Sequence, residues 1–426
     1  MFNSIKNSIP LNLRITLRSY QRMLTVWLRR FLRSFNLTRT ATKNRKIANT
    51  TIVIDEVGVH YTCGYYDVSP FNPNQQSLLL FRTKAPYKPL TKRYAGEVGY
   101  VEFSDNVSGE FIPLEKTDTW CWQQGCRLQW LPGAEGKLAI FNKSVLSKPG
   151  AAIIDVELGK IQREIGSPIY AVHPNGQEAI TLDFIRLGRM RPGYGYVEFA
   201  EDDKDCPAPA NNGLWKLSLI TGEKELLLSL AELSLLKPVE TMRGSTHYIN
   251  HVSYNPSGSR LLFIHLWTNK SSRFGRLITM NSDGSEVTIL NNEGHASHYT
   301  WRNDSEILHY ATHTDEGTAY YLYEDITGHR QVIGKDILTE DGHPTFLKDK
   351  KCFITDTYPD NYGDQKLLRF DIKENSLVEL GRFYHPPEYF GEVRCDLHPR
   401  LDHGYNQFAI DIIKNKYRAV YIGQLS

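Results

Sequence analysis

The 426-residue sequence predicts an all-β chain folded as a seven-bladed β-propeller of four-stranded antiparallel blades. Three observations carry that prediction. A weak motif recurs seven times, a second hairpin signal follows most copies, and each end of the repeat region leaves one strand without a partner.

The motif is a central aromatic or apolar residue, then a Gly, Asn or Asp turn, then a short apolar run. It opens at Val68-Ser-Pro-Phe71 and returns at Arg127-Leu-Gln-Trp130, Tyr170-Ala-Val-His173 and His251-Val-Ser-Tyr254. His298-Tyr-Thr-Trp301, His343-Pro-Thr-Phe346 and His398-Pro-Arg-Leu401 complete the series. Strand, tight turn, strand is the structure such a pattern encodes. The second hairpins run from Ile153 to Ile165, Trp215 to Leu227, Leu277 to Leu290, Tyr321 to Ile333 and Leu367 to Leu380. Copies fall 43 to 59 residues apart, except for one gap of 81 that is long enough to hide an eighth blade.

Thr51 to Ile54 is an apolar strand with no partner upstream, and Tyr417 to Ile422 has none downstream. Pairing the two closes the ring and removes two exposed edges. The expected organisation is a basic helical extension over 1–46 and a propeller over 47–426, with a short helical insertion at about 228–237 ahead of Pro238.

The extension holds eleven Lys or Arg and no acid; removing it leaves 39 basic against 48 acidic residues, so the propeller carries a net −9. Leu13, Leu17, Tyr20, Leu24, Trp27, Phe31 and Phe35 recur at helical spacing, with Arg14, Arg18, Arg22, Arg29 and Arg33 opposite. This basic amphipathic helix, entered through Ser8 and Pro10, fits an anionic membrane surface or a protein partner through residues 11–35, its own domain, or a targeting role. It lacks a secretory h-region and cleavage site, so a cytoplasmic location, peripheral to a membrane, is favoured over secretion. No aromatic-interleaved basic surface accompanies it, and nucleic acid is not an expected partner.

A composition of 41% hydrophobic and 23% charged residues is that of a soluble globular chain. No apolar run approaches the ~18 residues of a membrane-spanning helix. The six cysteines have neither zinc-ribbon spacing nor the density of a disulfide scaffold, and reduced thiols are expected.

In a closed ring, equivalent repeat positions converge on one axis. His251, His298, His343 and His398 share such a position with Tyr170, while Arg127 and Val68 hold it in the first two copies. A repeated histidine can be a scaffold device, but this irregular occupancy favours a site. Three of these imidazoles, His298, His343 and His398, are candidate ligands for a divalent transition metal such as Zn or Mn, with Asp341, Asp396 or Cys395 as further ligands. Beyond Tyr170 lie Arg186, Arg189, Arg191 and Tyr194, a group suited to holding a carboxylate or, alternatively, to pairing with Glu198 and Asp202.

The stretch from Tyr170 through Arg186 to Tyr196 resembles the propeller polysaccharide lyases of the ulvan lyase type and, more distantly, of the oligogalacturonate lyase type, both related to TolB-like and WD40-like propellers. Trp122 to Trp130, Asp341 to Phe346, Thr355 to Asp360 and Arg394 to Arg400 share in the likeness. The resemblance implies β-elimination on a uronic-acid-containing oligosaccharide or polysaccharide. Such a reaction needs a base for the C5 proton, a cation for the carboxylate and an acid for O4. It makes Tyr170 the base or acid and Arg186 the carboxylate neutraliser; His251 of the axial set is the third catalytic candidate, and Arg127, Arg189, Arg191, Tyr194 and Arg400 are the substrate-binding ones. The chain departs from the ulvan type in having no histidine between His60 and His173, where those relatives place catalytic ones, and Leu266 stands where many carry arginine. A non-catalytic propeller that binds glycan or protein through a degenerate site is the second expectation.

Overall fold

A computed structural model describes residues 11–34, 50–74, 77–104, 107–270 and 272–425. Twenty-eight strands make seven four-stranded antiparallel sheets, each the blade that one copy of the motif predicts. Six blades take their strands in chain order, from β2 (His60–Thr62), β3 (Ser77–Thr83), β4 (Gly96–Ser104) and β5 (Val107–Thr117) to β22 (Thr345–Phe346), β23 (Cys352–Asp356), β24 (Asp364–Asp371) and β25 (Ser376–Tyr384). The seventh is closed by both chain ends. β1 (Thr50–Ile54) pairs antiparallel with β28 (Tyr417–Gln424), which continues through β27 (Gln407–Lys414) to β26 (Arg400–Leu401).

The gap of 81 residues contains no eighth blade among the described residues. It holds the blade of β10 (Ala171–Val172), β11 (Glu178–Leu182), β12 (Gly213–Ser218) and β13 (Lys224–Ser229), enlarged by two insertions. The predicted helical insertion is present as Leu230–Leu235. Ser229 and Glu232 form a capping box there, each meeting the other's backbone N–H. Phe184–Met190 is a helix that the arginine-rich pattern did not reveal, started by the Asp183 side chain accepting from the N–H groups of Ile185 and Arg186.

Blade interiors follow from the strand sequences. In β15 (Arg260–Asn269) eight successive residues are buried, as a strand covered on both faces requires. Tight turns join blades as well as strands. Gly258 adopts φ +81° between β14 (Thr246–Tyr254) and β15, and its carbonyl meets His173 Nε2 of the preceding blade at 3.2 Å.

Antiparallel order gives the ring two unlike faces. In every blade the connections after the second and fourth strands leave on one side, called here the upper face. The long segments 84–95, 118–128, 183–212, 230–245 and 385–399 are all of this kind, so they share the upper face. Helix α1 (Leu11–Ser34) is also present; its predicted start at Ser8 and Pro10, like the boundary at 46, lies outside the described residues.

Candidate functional site

The repeat register does bring its residues together. The ring centroids of His298 and His343 are 4.1 Å apart, those of His343 and His398 4.3 Å, and those of His251 and His298 5.7 Å. All four side chains are buried. Arg127, His251 and His398 share a left-handed backbone, with φ of 55°, 52° and 47°, and β14 carries a bulge at His251. A bulge re-aims a side chain, here toward the axis, and a non-glycine residue in this region costs on the order of 1 kcal/mol.

Two tyrosines outside the register fill the centre. β2 and the isolated pairing of Phe71 with Leu78 both belong to the inner edge of β3, so residues 63–70 loop out of the innermost strand. Tyr65 stacks on His251 at 5.2 Å and meets His398 edge-on at 4.8 Å; Tyr66 lies 5.0 Å from His343 and donates to the Tyr299 carbonyl at 2.7 Å. The only sequence signal was a pair of tyrosines just before the first copy of the motif.

Hydrogen bonds sort the imidazoles by role. The Nδ1 of His298 faces Asp341 at 3.1 Å, and that of His343 faces Asp356 Oδ1 at 2.8 Å. A carboxylate at Nδ1 holds the proton there and turns the other nitrogen, Nε2, outward as a lone pair. Asp356 also accepts the backbone N–H groups of both His343 and His398. His251 differs. Its Nε2 faces the Asn250 amide NH2 at 3.1 Å, whose oxygen takes the Gln124 amide, so its Nδ1 carries the proton. His251 Nδ1, His343 Nε2, His398 Nε2 and the Tyr65 hydroxyl are buried without a partner.

Burial drives His251 and His398 well below the ordinary histidine range, and neighbouring His298 and His343 push the same way. His298 is also lowered by burial, which outweighs Asp341. For His343 burial is opposed and overcome by Asp356, Asp396 and Asp341, and its pKa is raised. Burial pushes the Tyr65 hydroxyl well above 10.

Several predicted site residues have hydrogen-bond partners within the protein. Tyr170 is at the axis, but its hydroxyl accepts from Gln124 at 2.8 Å and from the His251 N–H at 3.1 Å and faces Asn250 Oδ1 at 3.3 Å, leaving no free position. Arg127 grips Asp67 through two bonds of 2.9 and 3.0 Å, and Arg400 binds Asp411 and the carbonyls of Gly64 and Tyr65. These two arginines clamp the Tyr65–Tyr66 loop from both sides. Arg186 is buried against the carbonyls of His247, Asp203, Cys206 and Pro207, and Arg189 forms a forked pair with Glu201 near the surface.

Arg191 is the predicted cation that reaches the site. Its guanidinium carbon lies 4.6 Å from the Tyr194 ring centroid, with Tyr248 and Tyr358 near, and it makes no ion pair among the described residues. Tyr194 sits edge-on to His251 at 5.7 Å.

His343, His398 and Asp396 place one ligand atom each within 4.8 Å of one another. All three are among the predicted metal ligands. His298 stands beside this group, Asp341 is occupied behind His298, and the Cys395 thiol is held protonated, pushed up to about 12 by burial. Asp396 is paired with Arg394 through bonds of 2.6 and 2.7 Å, and its pKa is held at about 2: burial opposes this, but Arg394 prevails. Two imidazoles and a carboxylate, with two orphaned Nε2 atoms, fit a borderline divalent ion such as zinc or manganese.

A roof covers the cluster. Gln123 donates to the carbonyls of Glu392 and Arg394, both at 2.9 Å, and its N–H bonds the Gly193 carbonyl at 3.1 Å. Three of the upper-face segments thus meet over the axis.

Solved structures share this architecture. An oligogalacturonate lyase in complex with manganese superposes with a TM-score of 0.63 at 13% identity, over 90% of this chain and 95% of that one. The oligogalacturonate lyase of Vibrio parahaemolyticus gives 0.59 at 13% identity, over 90% and 96%. The chain has the oligogalacturonate lyase fold. At this identity the likeness is one of fold. No known protein family matches the sequence, and no curated protein does. The likeness to ulvan lyases stays a reading of the sequence motifs.

Proposed function

We propose that the chain is a lyase that cleaves uronate-containing oligosaccharides by β-elimination at the axial cluster. The observation that carries this reading is the convergence of four buried, unpartnered polar atoms, those of Tyr65, His251, His343 and His398, beside the unpaired cation Arg191. An unmet buried polar group costs about 1–3 kcal/mol, so stability alone does not account for four in one place. The site is roofed, which favours an oligosaccharide over a long polymer.

His298, kept neutral by burial and oriented by Asp341, takes the C5 proton at Nε2. Arg191 and the Nδ1–H of His251 offset the charge that builds on the uronate carboxylate. The C5–H electrons become the C4–C5 double bond as the C4–O4 bond breaks. Tyr65, its proton retained by burial, protonates the leaving O4 and is reset by the proton on His298. His343, His398 and Asp396 would hold a divalent metal, which supplies further positive charge toward the carboxylate.

The test is a panel of uronate oligosaccharides incubated with protein, with and without chelator, and followed by the ultraviolet absorbance of the unsaturated product. Growth that is lost in His298→Gln supports the lyase. A second reading, a non-catalytic propeller that binds glycan or protein, is favoured by Tyr65 and Tyr66 filling the axis under a closed roof. Retention of a glycan with no product selects it.

A further inference from the structure

Helix α1 meets the propeller through its flank. Val26 is buried, and Arg30 donates to the Tyr362 carbonyl at 2.9 Å and to Asp364 at 2.7 Å while lying 3.9 Å from the Tyr384 ring centroid. These partners lie in the β23–β24 connection and at the ends of β24 and β25 on the upper face, the side that carries the roof segments. The apolar face is therefore not the docking face. Leu24, Trp27, Leu28 and Phe31, about a third of a turn away, are 67%, 66%, 51% and 47% exposed, and Trp27 stacks on Phe31 at 5.5 Å.

The helix has six arginines and no acid, with Arg22 exposed beside the stripe's polar border. A second copy of the helix would set arginine against arginine. An anionic bilayer satisfies both halves, taking the stripe into the boundary of the acyl chains and the guanidinium groups onto lipid phosphates. No helix among the described residues is long and apolar enough to cross a membrane, so the geometry is that of a helix lying in the interface. The net −9 of the propeller works against the same surface, which confines attraction to the helix. We propose that α1 lays this protein on an anionic lipid bilayer, with the exposed stripe as the membrane-contacting face.

The experiment is sedimentation of the full chain with vesicles of phosphatidylcholine, alone or mixed with phosphatidylglycerol, at low and high salt. Binding to the anionic vesicles should exceed binding to neutral ones by about tenfold and fall with salt. The double variant Trp27→Ser with Phe31→Ser should lower it about tenfold, and Arg22→Glu with Arg29→Glu should act only on anionic vesicles. Equal binding to both vesicle types, no binding, or undiminished binding by either variant would overturn the proposal. So would a lipid-free dimer that the Trp27→Ser, Phe31→Ser variant disperses, since the stripe would then face a second copy. Vesicle binding and uronate turnover are separate readouts, so failure of one is distinguishable from failure of the other.

Discussion

Residues that share a charge have unlike duties in this site. Arg186 satisfies the backbone carbonyls of His247, Cys206 and Pro207, whereas Arg191 keeps its charge toward Tyr194 and the axis. Replacing Arg186 with Met should lower stability by about 3 kcal/mol, because its partners are left buried and unmet, as chemical denaturation would show. Arg191→Met should leave the denaturation midpoint close to that of the parent and, in a turnover assay, reduce kcat/KM by 10²-fold or more. Nothing in the run from Leu182 to Tyr196 separates these arginines by sequence. Which of them faces the axis depends on Asp183 starting a helix that turns Arg186 inward, a local event inside a segment whose pattern reads as loop. Tyr170 shows the converse. Its register was legible, but its hydrogen bonds to Gln124, Asn250 and the His251 backbone come from three separate segments and have no signature in any one of them.

At the scale of elements, the blades were legible and the roof was not. Turn residues and apolar alternation are local signals, so strands and hairpins appear in order, and even the closure of β1 on β28 follows from unpaired ends. The roof is built by contacts such as Gln123 to Glu392 across 269 positions, which no periodicity encodes. Gly193 is a sensitive point in it: φ is +92°, and an added Cβ would lie 3.1 Å from the Glu392 Cα. Gly193→Ala should therefore loosen the segment around 385–399, with faster hydrogen exchange there and unchanged exchange in β15. Protection unchanged in both would mean that the roof does not depend on this contact.

For the whole molecule, buried histidines set the response to acid. Burial lowers His60 and His247 to about 4 and His309 to about 3; Arg418 adds to the effect at His60, Arg276 and Arg186 at His247, while Asp341 opposes it at His309. These groups are neutral when folded and bind protons more readily when unfolded. Their contribution is therefore intact above pH ~6.5 and is lost as pH falls toward 4, by at most about 1.4 kcal/mol per pH unit for each. Urea midpoints should fall between pH 7 and 5, before most carboxylates titrate; a flat profile would contradict this. The ring also explains why residues spread from Tyr65 to His398 meet at one place, since closure alone makes the inner strands of all blades neighbours. We propose that this axis performs an elimination. Mass analysis of the fragments from a uronate oligosaccharide of defined length tests that most directly. Elimination gives fragments whose masses sum to that of the substrate, one bearing an unsaturated uronate, and none with Tyr65→Phe. Fragments that have gained water, or no fragments from any member of a uronate panel, would contradict it.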